Sequence, residues 1–284
     1  MSQKYFNIAG PCNSSEHYML DPLRGICKEL MDLINSKQYF VIHAARQSGK
    51  TTVLKELVRR MSTEQKYYAL YCSLEATQTL SDERDGIPAI VKTIKAAITN
   101  IGLPADFAKD ADYSDYSNVL KTSLTNYCRL LDKPLAIFFD EADCLSNGTL
   151  ISFLRQLRNG YIDRPDIPFV HSLALVGMRN IRDYKARTRG DSETLGSSSP
   201  FNIVTESLNL KNFIIEEVIE LCSQHTQETG QVFEPQATDY IYEQTQGQPW
   251  LVNAIARECV EKICKKDYAI PITSEMAKTA INNM

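Results

Sequence analysis

The chain has 284 residues, an apolar fraction of 43% and a net charge of −4, ordinary values for a globular protein of one large or two small domains. No apolar run approaches the roughly 20 residues that span a bilayer, the N-terminus lacks a signal-peptide pattern, and the acidic balance argues against a surface built for nucleic acid. None of the eight cysteines forms a C-x-x-C pair, so the sequence predicts a reduced, cytoplasmic protein without a membrane partner.

Strand and helix patterns alternate along the first 207 residues. Apolar residues at helical spacing predict a first helix over residues 21–36. Strands are predicted at 38–43, 67–72, 135–139, 169–176 and 201–206, with helices at 53–61, 87–99, 117–131 and 149–160. This alternation predicts an α/β fold with a parallel sheet covered on both faces.

Helical spacing continues without strands after residue 207. Helices are predicted at 213–228, 236–246, 249–264 and 273–284, with Gly230 and Gly247 between them. The sequence therefore predicts two domains, residues 1–207 and a helical lid over residues 208–284. Whether the chain is a piece of a longer protein is left open.

The segment after the first strand has the pattern of a phosphate-binding loop in which alanine replaces the first glycine. In this motif backbone N–H groups and a helix N-terminus face the phosphates, the lysine reaches the outer ones, and the next hydroxyl can ligate Mg²⁺. Alanine at the first position is tolerable where its φ stays negative. The sequence predicts that a nucleoside triphosphate is held by Ala45, Arg46, Gln47, Ser48, Gly49, Lys50, Thr51 and Thr52, with Mg²⁺ at Thr51.

Two acidic residues follow the third predicted strand. Asp140 ends a continuous apolar run, and Glu141 comes directly after it. A carboxylate at a strand end beside a phosphate loop can hold Mg²⁺, and the next one can polarise an attacking water as a general base. The sequence predicts Asp140 as a metal ligand and Glu141 as a catalytic base; a solvated strand end is the alternative.

Arg179 follows the fourth predicted strand, where a cation could face the γ-phosphate. This placement predicts a catalytic or sensing role for Arg179 beside Lys50 and Glu141. The alternative is a solvated basic stretch, which could also contact a phosphodiester backbone; its other members are Arg182, Lys185, Arg187 and Arg189.

The turn Gly247-Gln248-Pro249 precedes a helix in the predicted lid. Proline at the first position of a helix is ordinary helix-start chemistry. The other interpretation places Pro249 over the base of a bound nucleotide. For Trp250, the single tryptophan, burial in the structure is the favoured interpretation.

Taken together, these segments resemble the AAA-like ATP-binding proteins of bacteria and archaea, near the STAND and archaeal-ATPase branch and related to origin-recognition ATPases. The likeness also includes residues 5–13, 17–20 and 199–203 and covers nearly the whole chain. It implies a P-loop NTPase fold, with a three-layer parallel sheet of order 5-1-4-3-2, and ATP with Mg²⁺ as ligands.

The resemblance also implies roles for individual residues. Lys50 and Thr51 match the loop lysine and the Mg²⁺ hydroxyl, and Asp140 and Glu141 match the second acidic motif. Arg179 matches a sensor arginine. Pro249 matches a lid proline that packs on adenine, and Tyr18 and Met19 lie in the stretch that passes near the base.

Three functions are consistent with these residues. The first is an ATP-hydrolysing molecular switch with Mg²⁺, in which Arg179 and Pro249 hold the lid closed. The second is a nucleotide-binding scaffold with negligible turnover, waiting for an arginine such as Arg155 or Arg158 from a neighbouring subunit. The third is ATP-dependent action on DNA. ATP and ADP are the predicted ligands, and a homo-oligomer or a protein partner is left open.

Overall fold

The structure is a computed structural model that describes residues 3–177 and 203–284. Its contacts divide the chain into two compact units. One, here the helical unit, consists of Met1–Arg24, Ala45–Val53 and Leu210–Met284; the other, the sheet unit, consists of Gly25–Ala44 and Leu54–Asn209. The domain boundary after residue 207 stays a prediction.

The sheet unit contains five parallel strands, β1 (Tyr39–His43), β2 (Tyr68–Ser73), β3 (Leu135–Asp140), β4 (Ser172–Gly177) and β5 (Val204–Asn209). Their order is β2-β3-β4-β1-β5, which is the expected order 5-1-4-3-2 when it is counted from the other edge. The predicted fold class is therefore confirmed.

The central strands are apolar along their whole length because both faces of the sheet are buried. A parallel sheet that lies between helices has no solvent-facing side. Every residue of β3 and of β4 is buried. The strand predicted at 169–176 begins three residues later, at Ser172, and the one predicted at 201–206 extends to Asn209. Residues 201 and 202 of that prediction lie outside the described residues.

Among the described residues before 210, the helices that accompany the strands are α1 (Cys27–Asn35), α2 (Lys50–Glu64), α3 (Glu83–Asn100), α4 (Val119–Leu130) and α5 (Asn147–Asp163). The first begins six residues later than predicted. Asp21 accepts a hydrogen bond from the amide of Leu23 in a local turn, and Gly25 has a φ of 68°. That left-handed residue interrupts the helical path that the apolar spacing indicated.

The helical unit contains α6 (Ile215–Thr229), α7 (Pro235–Thr245), α8 (Pro249–Arg257) and α9 (Ser274–Asn282). A π-helical segment, Glu258–Ile263, continues α8, so the helix predicted at 249–264 changes type near its middle. Phe6 and Tyr18 from the N-terminal segment pack into the core of these helices. The N-terminal residues therefore belong to the helical unit. The sequence does not indicate this membership, because its pattern predicts one domain over residues 1–207.

Candidate nucleotide site

The predicted phosphate-loop segment, which belongs to the helical unit, contains two residues in the left-handed conformation. Gln47 has a φ of 59° and Gly49 a φ of 87°, and α2 begins at Lys50. Left-handed residues between right-handed ones turn successive N–H groups toward one side of a loop, and the first N–H groups of a helix have no intrahelical acceptor. The segment can therefore present several donors to a phosphate.

Two side chains of the loop converge on one carbonyl. Lys50 Nζ and Ser48 Oγ each donate to the carbonyl oxygen of Ala45, both at 2.8 Å. Lys50 is only 8% exposed, and burial of an ammonium group favours any arrangement that supplies it with anionic partners. The lysine is thus held against the loop rather than extended into solvent.

Ala44, in the place of the first glycine, is not among the residues with positive φ. It is buried, and its amide donates to the carbonyl of Gly177 at 3.2 Å, which extends the pairing of β1 with β4. The methyl group of alanine therefore causes no backbone strain here, and the departure from the common pattern does not disturb the loop.

The loop segment forms hydrogen bonds with two other parts of the helical unit, the N-terminal segment and the turn before α8. Thr52 Oγ1 accepts a hydrogen bond from the amide of Cys12 at 3.0 Å. Gln248 Nε2 donates to the carbonyl oxygens of Arg46 and Gln47, each at 3.3 Å. The N-terminal segment and the turn before α8 therefore both reach the loop.

Pro249 occupies the first position of α8, as ordinary helix-start chemistry predicts. The turn before it bonds to the loop through Gln248, so the structure brings the predicted lid turn and the predicted loop together. Trp250 is half-buried, and its Nε1 donates to the carbonyl of Ile8 at 2.8 Å. The contact of Pro249 with a base stays a prediction.

Asp140 lies at the carboxyl edge of the sheet, where β3 ends in the sheet unit. Its side chain is 1% exposed; one oxygen accepts from the amide of Glu141 at 3.0 Å and the other from the hydroxyl of Tyr71 at 3.1 Å. β1 ends at the same edge, because all strands are parallel. Ligands of open α/β sheets bind outside this edge.

Glu141 has a φ of 56° and a ψ of 34°, which is uncommon for a residue other than glycine. Asp143, two residues on, would lie 2.8 Å from a Cβ at Gly177, so the glycine at the end of β4 leaves room for that carboxylate. The turn after β3 thus directs the Asp143 carboxylate toward the end of β4.

Tyr18 and Met19 are engaged within the helical unit. The Tyr18 ring is 1% exposed and packs on Phe6, and its hydroxyl lies 3.2 Å from Nδ1 of His225. The backbone N–H and carbonyl of Met19 bond to the side chain of Gln224, both at 3.0 Å. Any contact of Tyr18 with a base would therefore involve the backbone of Tyr18. The predicted place of Tyr18 and Met19 near the base stays a prediction.

Arg179 and the rest of its basic cluster lie outside the described residues. Within residues 3–177 and 203–284, no group of three or more His, Cys, Asp and Glu side chains could hold a metal ion, and the roles of Thr51 and Asp140 as Mg²⁺ ligands stay predictions. Over the same ranges, no helix is long and apolar enough to cross a membrane.

Sequence reasoning missed three residues of these sites. In the sequence, Tyr71 is only part of a predicted strand, and Cys12 is only part of the N-terminal segment that carries the resemblance. Gln248 is only the residue between Gly247 and Pro249. Each contacts a residue 40 or more positions away, and no local pattern encodes such pairs. The one usable signal was alternation in β2, which places Tyr71 and Ser73 on the same side of the strand.

The chain resembles known proteins in its structure but not in its sequence. No protein-family model matches the chain, and no curated protein matches it in sequence. A Walker-type ATPase of Pyrococcus abyssi has a TM-score of 0.64 at 13% identity, over 98% of this chain and 75% of that one.

Two further structures share the fold. The Orc1 protein of Aeropyrum pernix, solved in complex with DNA, has a TM-score of 0.57 at 13% identity, over 93% of this chain and 66% of its own. A variant of RuvB of Thermotoga maritima has a TM-score of 0.52 at 15% identity, over 91% of this chain and 68% of its own. The chain therefore shares the fold of these three structures, with a five-stranded parallel sheet between helices.

Proposed function

We propose that this protein binds ATP with Mg²⁺ and hydrolyses it slowly, so that the nucleotide controls a conformational switch. One observation carries the proposal. The segment from Ala45 to Thr52 combines left-handed residues at positions 47 and 49 with a buried lysine at a helix start. That conformation suits the binding of a polyphosphate.

The donor set fits Mg²⁺, which prefers oxygen ligands and retains several waters. Thr51 carries a hydroxyl directly after the loop lysine, and the Asp140 carboxylate accepts hydrogen bonds from the hydroxyl of Tyr71 and the amide of Glu141. When bound, Mg²⁺ would neutralise charge on the β- and γ-phosphates. Lys50 would bind the outer phosphates, and Glu141 would accept a proton from the attacking water.

Two variants test binding and turnover separately. Lys50→Ala should abolish both, because it removes the buried cation of the loop. Glu141→Gln should retain Mg·ATP binding and lose roughly 100-fold or more in turnover, because it keeps the shape but not the base. Phosphate release and calorimetric titration with Mg·ATP measure the two properties.

The control is Glu75→Gln, an exposed glutamate after β2, which should behave like wild type. Equal turnover in wild type, Lys50→Ala and Glu141→Gln would exclude hydrolysis at this site. Mass spectrometry of nucleotide released from the purified protein would identify the base independently.

A scaffold with negligible turnover is the second candidate. Arg155 is exposed on α5, a position from which it could reach a neighbouring subunit, as activating arginines do. Nucleotide that co-purifies while turnover stays at background in dilute protein, with turnover per molecule that rises only as the protein is concentrated, would favour this function. Turnover independent of concentration in Arg155→Ala and wild type alike would exclude the role of Arg155.

A further inference from the structure

The side chain of Gln248 connects the start of α8 to the outside of the phosphate loop. Its Oε1 accepts from the amide of Leu251 at 2.6 Å, so it caps the helix. Its Nε2 donates to the carbonyls of Arg46 and Gln47. Both halves of one carboxamide are thus used, and its orientation is defined by bonds at each end.

The two carbonyls matter because each belongs to a peptide group whose N–H is part of the loop. The carbonyl of Arg46 shares its peptide with the N–H of Gln47, and the carbonyl of Gln47 shares its peptide with the N–H of Ser48. A donor bonded to the oxygen of a peptide polarises the N–H on its other side, because hydrogen bonds in series strengthen one another. It also keeps the oxygen directed away from an incoming anion.

The turn that carries Gln248 is itself firmly held. Gly247 has a φ of 68°, its carbonyl accepts from the amide of Phe213 at 2.9 Å, and its amide donates to Thr245 Oγ1 at 3.1 Å. Asn253 Nδ2 donates to the carbonyl of Pro249 at 2.8 Å. The carboxamide is therefore presented from a turn with few alternative conformations.

We propose that Gln248 is a positioning residue for polyphosphate. It links the N-terminus of α8 to the peptide groups of residues 46–48 and orients and polarises their N–H groups for the phosphates. This inference rests on the proposed nucleotide binding and gives the lid turn a second role, distinct from the predicted contact of Pro249 with the base. A change at Gln248 should therefore alter the affinity of the site for phosphates rather than for adenine.

Tripolyphosphate separates the two roles because it has phosphates and no base. Gln248→Glu keeps the acceptor that caps Leu251 but replaces the donor with a carboxylate facing two carbonyls. We expect it to bind both Mg·ATP and Mg·tripolyphosphate about tenfold more weakly than wild type, in calorimetry at fixed ionic strength. Gln248→Met, similar in length, lacks both the donor and the acceptor that caps Leu251, and it should lose about threefold for both ligands.

The matched control is Gln244→Glu, an exposed residue of α7 with the same change in charge, which should match wild type. A loss for Mg·ATP alone would place Gln248 at the base and overturn the inference, as would unchanged affinity in both Gln248 variants. If wild type binds neither ligand, the proposed function fails together with the inference. Unchanged melting temperatures in the ligand-free variants would show that the loss does not arise from unfolding.

Discussion

Adjacent threonines at the start of α2 illustrate how neighbouring residues acquire different roles. The Thr52 hydroxyl accepts a hydrogen bond from the amide of Cys12, which anchors the N-terminal segment to the loop. Thr51 directly follows the loop lysine, the position at which the motif provides a hydroxyl for Mg²⁺. One hydroxyl is therefore structural, and we propose that the other serves the ligand.

Substitution by valine removes either hydroxyl with little change in shape. Thr51→Val should weaken binding of ATP at least tenfold in the presence of Mg²⁺, because the proposed Mg²⁺ ligand is lost. Thr52→Val should lower that free energy by about 1 kcal/mol, because the amide of Cys12 loses its acceptor, and should retain Mg²⁺-dependent binding. Urea unfolding and calorimetry distinguish the two patterns; a reversal between the variants would contradict both assignments.

Turns at helix ends set the positions of the elements around the loop. Gly247 and Gly230 both have left-handed conformations, with φ of 68° and 81°. A Cβ at Gly247 would meet the carbonyl of Phe213, whereas one at Gly230 would meet nothing within 4 Å. Gly247 is needed both for its left-handed conformation and for the close approach of the Phe213 carbonyl. Gly230 is needed only for its left-handed conformation.

This difference gives a matched pair of variants. Gly230→Ala should lower the free energy of unfolding by about 1 kcal/mol, the usual cost of a left-handed alanine. Gly247→Ala should cost about 3 kcal/mol or more, because the backbone of residue 213 must also move. Equal losses in urea unfolding would show that the contact with Phe213 relaxes at no cost.

Local chemistry accounts for which elements could be predicted from the sequence. Strand β3, the helix start at Pro249 and the loop before α2 each follow from residues within about ten positions. The start of α1 could not be placed, because apolar spacing does not reveal the left-handed conformation of Gly25. The bond from Gln248 to the loop joins residues about 200 positions apart, which a single sequence does not encode.

At the scale of the whole molecule, buried histidines connect stability to pH. Burial lowers the pKa of His17, His171 and His225 below the usual value, and this desolvation outweighs the acidic neighbours Glu16 at His17 and Glu228 at His225. By contrast, Arg59 and Arg60 hold the pKa of the carboxylate Glu56 at about 2. The contribution of the histidines to stability therefore begins to fall near pH 6.5, at a higher pH than that of Glu56, whose ordinary pKa is 4.5.

A histidine whose folded pKa is lowered binds a proton more readily in the unfolded chain. Its stabilising effect is complete above the unfolded pKa, near 6.5, and is lost as the pH falls from there toward the folded pKa. The free energy of unfolding should therefore decrease between pH 7 and pH 5, by at most about 1.4 kcal/mol per pH unit for each histidine.

The variant His225→Gln should make this decrease shallower, because glutamine keeps a polar partner for Gln231 and Tyr18 but does not titrate. Trp250, the single tryptophan, lies in the same helical unit, so its fluorescence during urea unfolding at pH 7, 6 and 5 follows the unit that contains His225. Equal m-values at each pH would show that the same surface is exposed. An identical pH dependence in wild type and variant would mean that His225 does not contribute to the decrease.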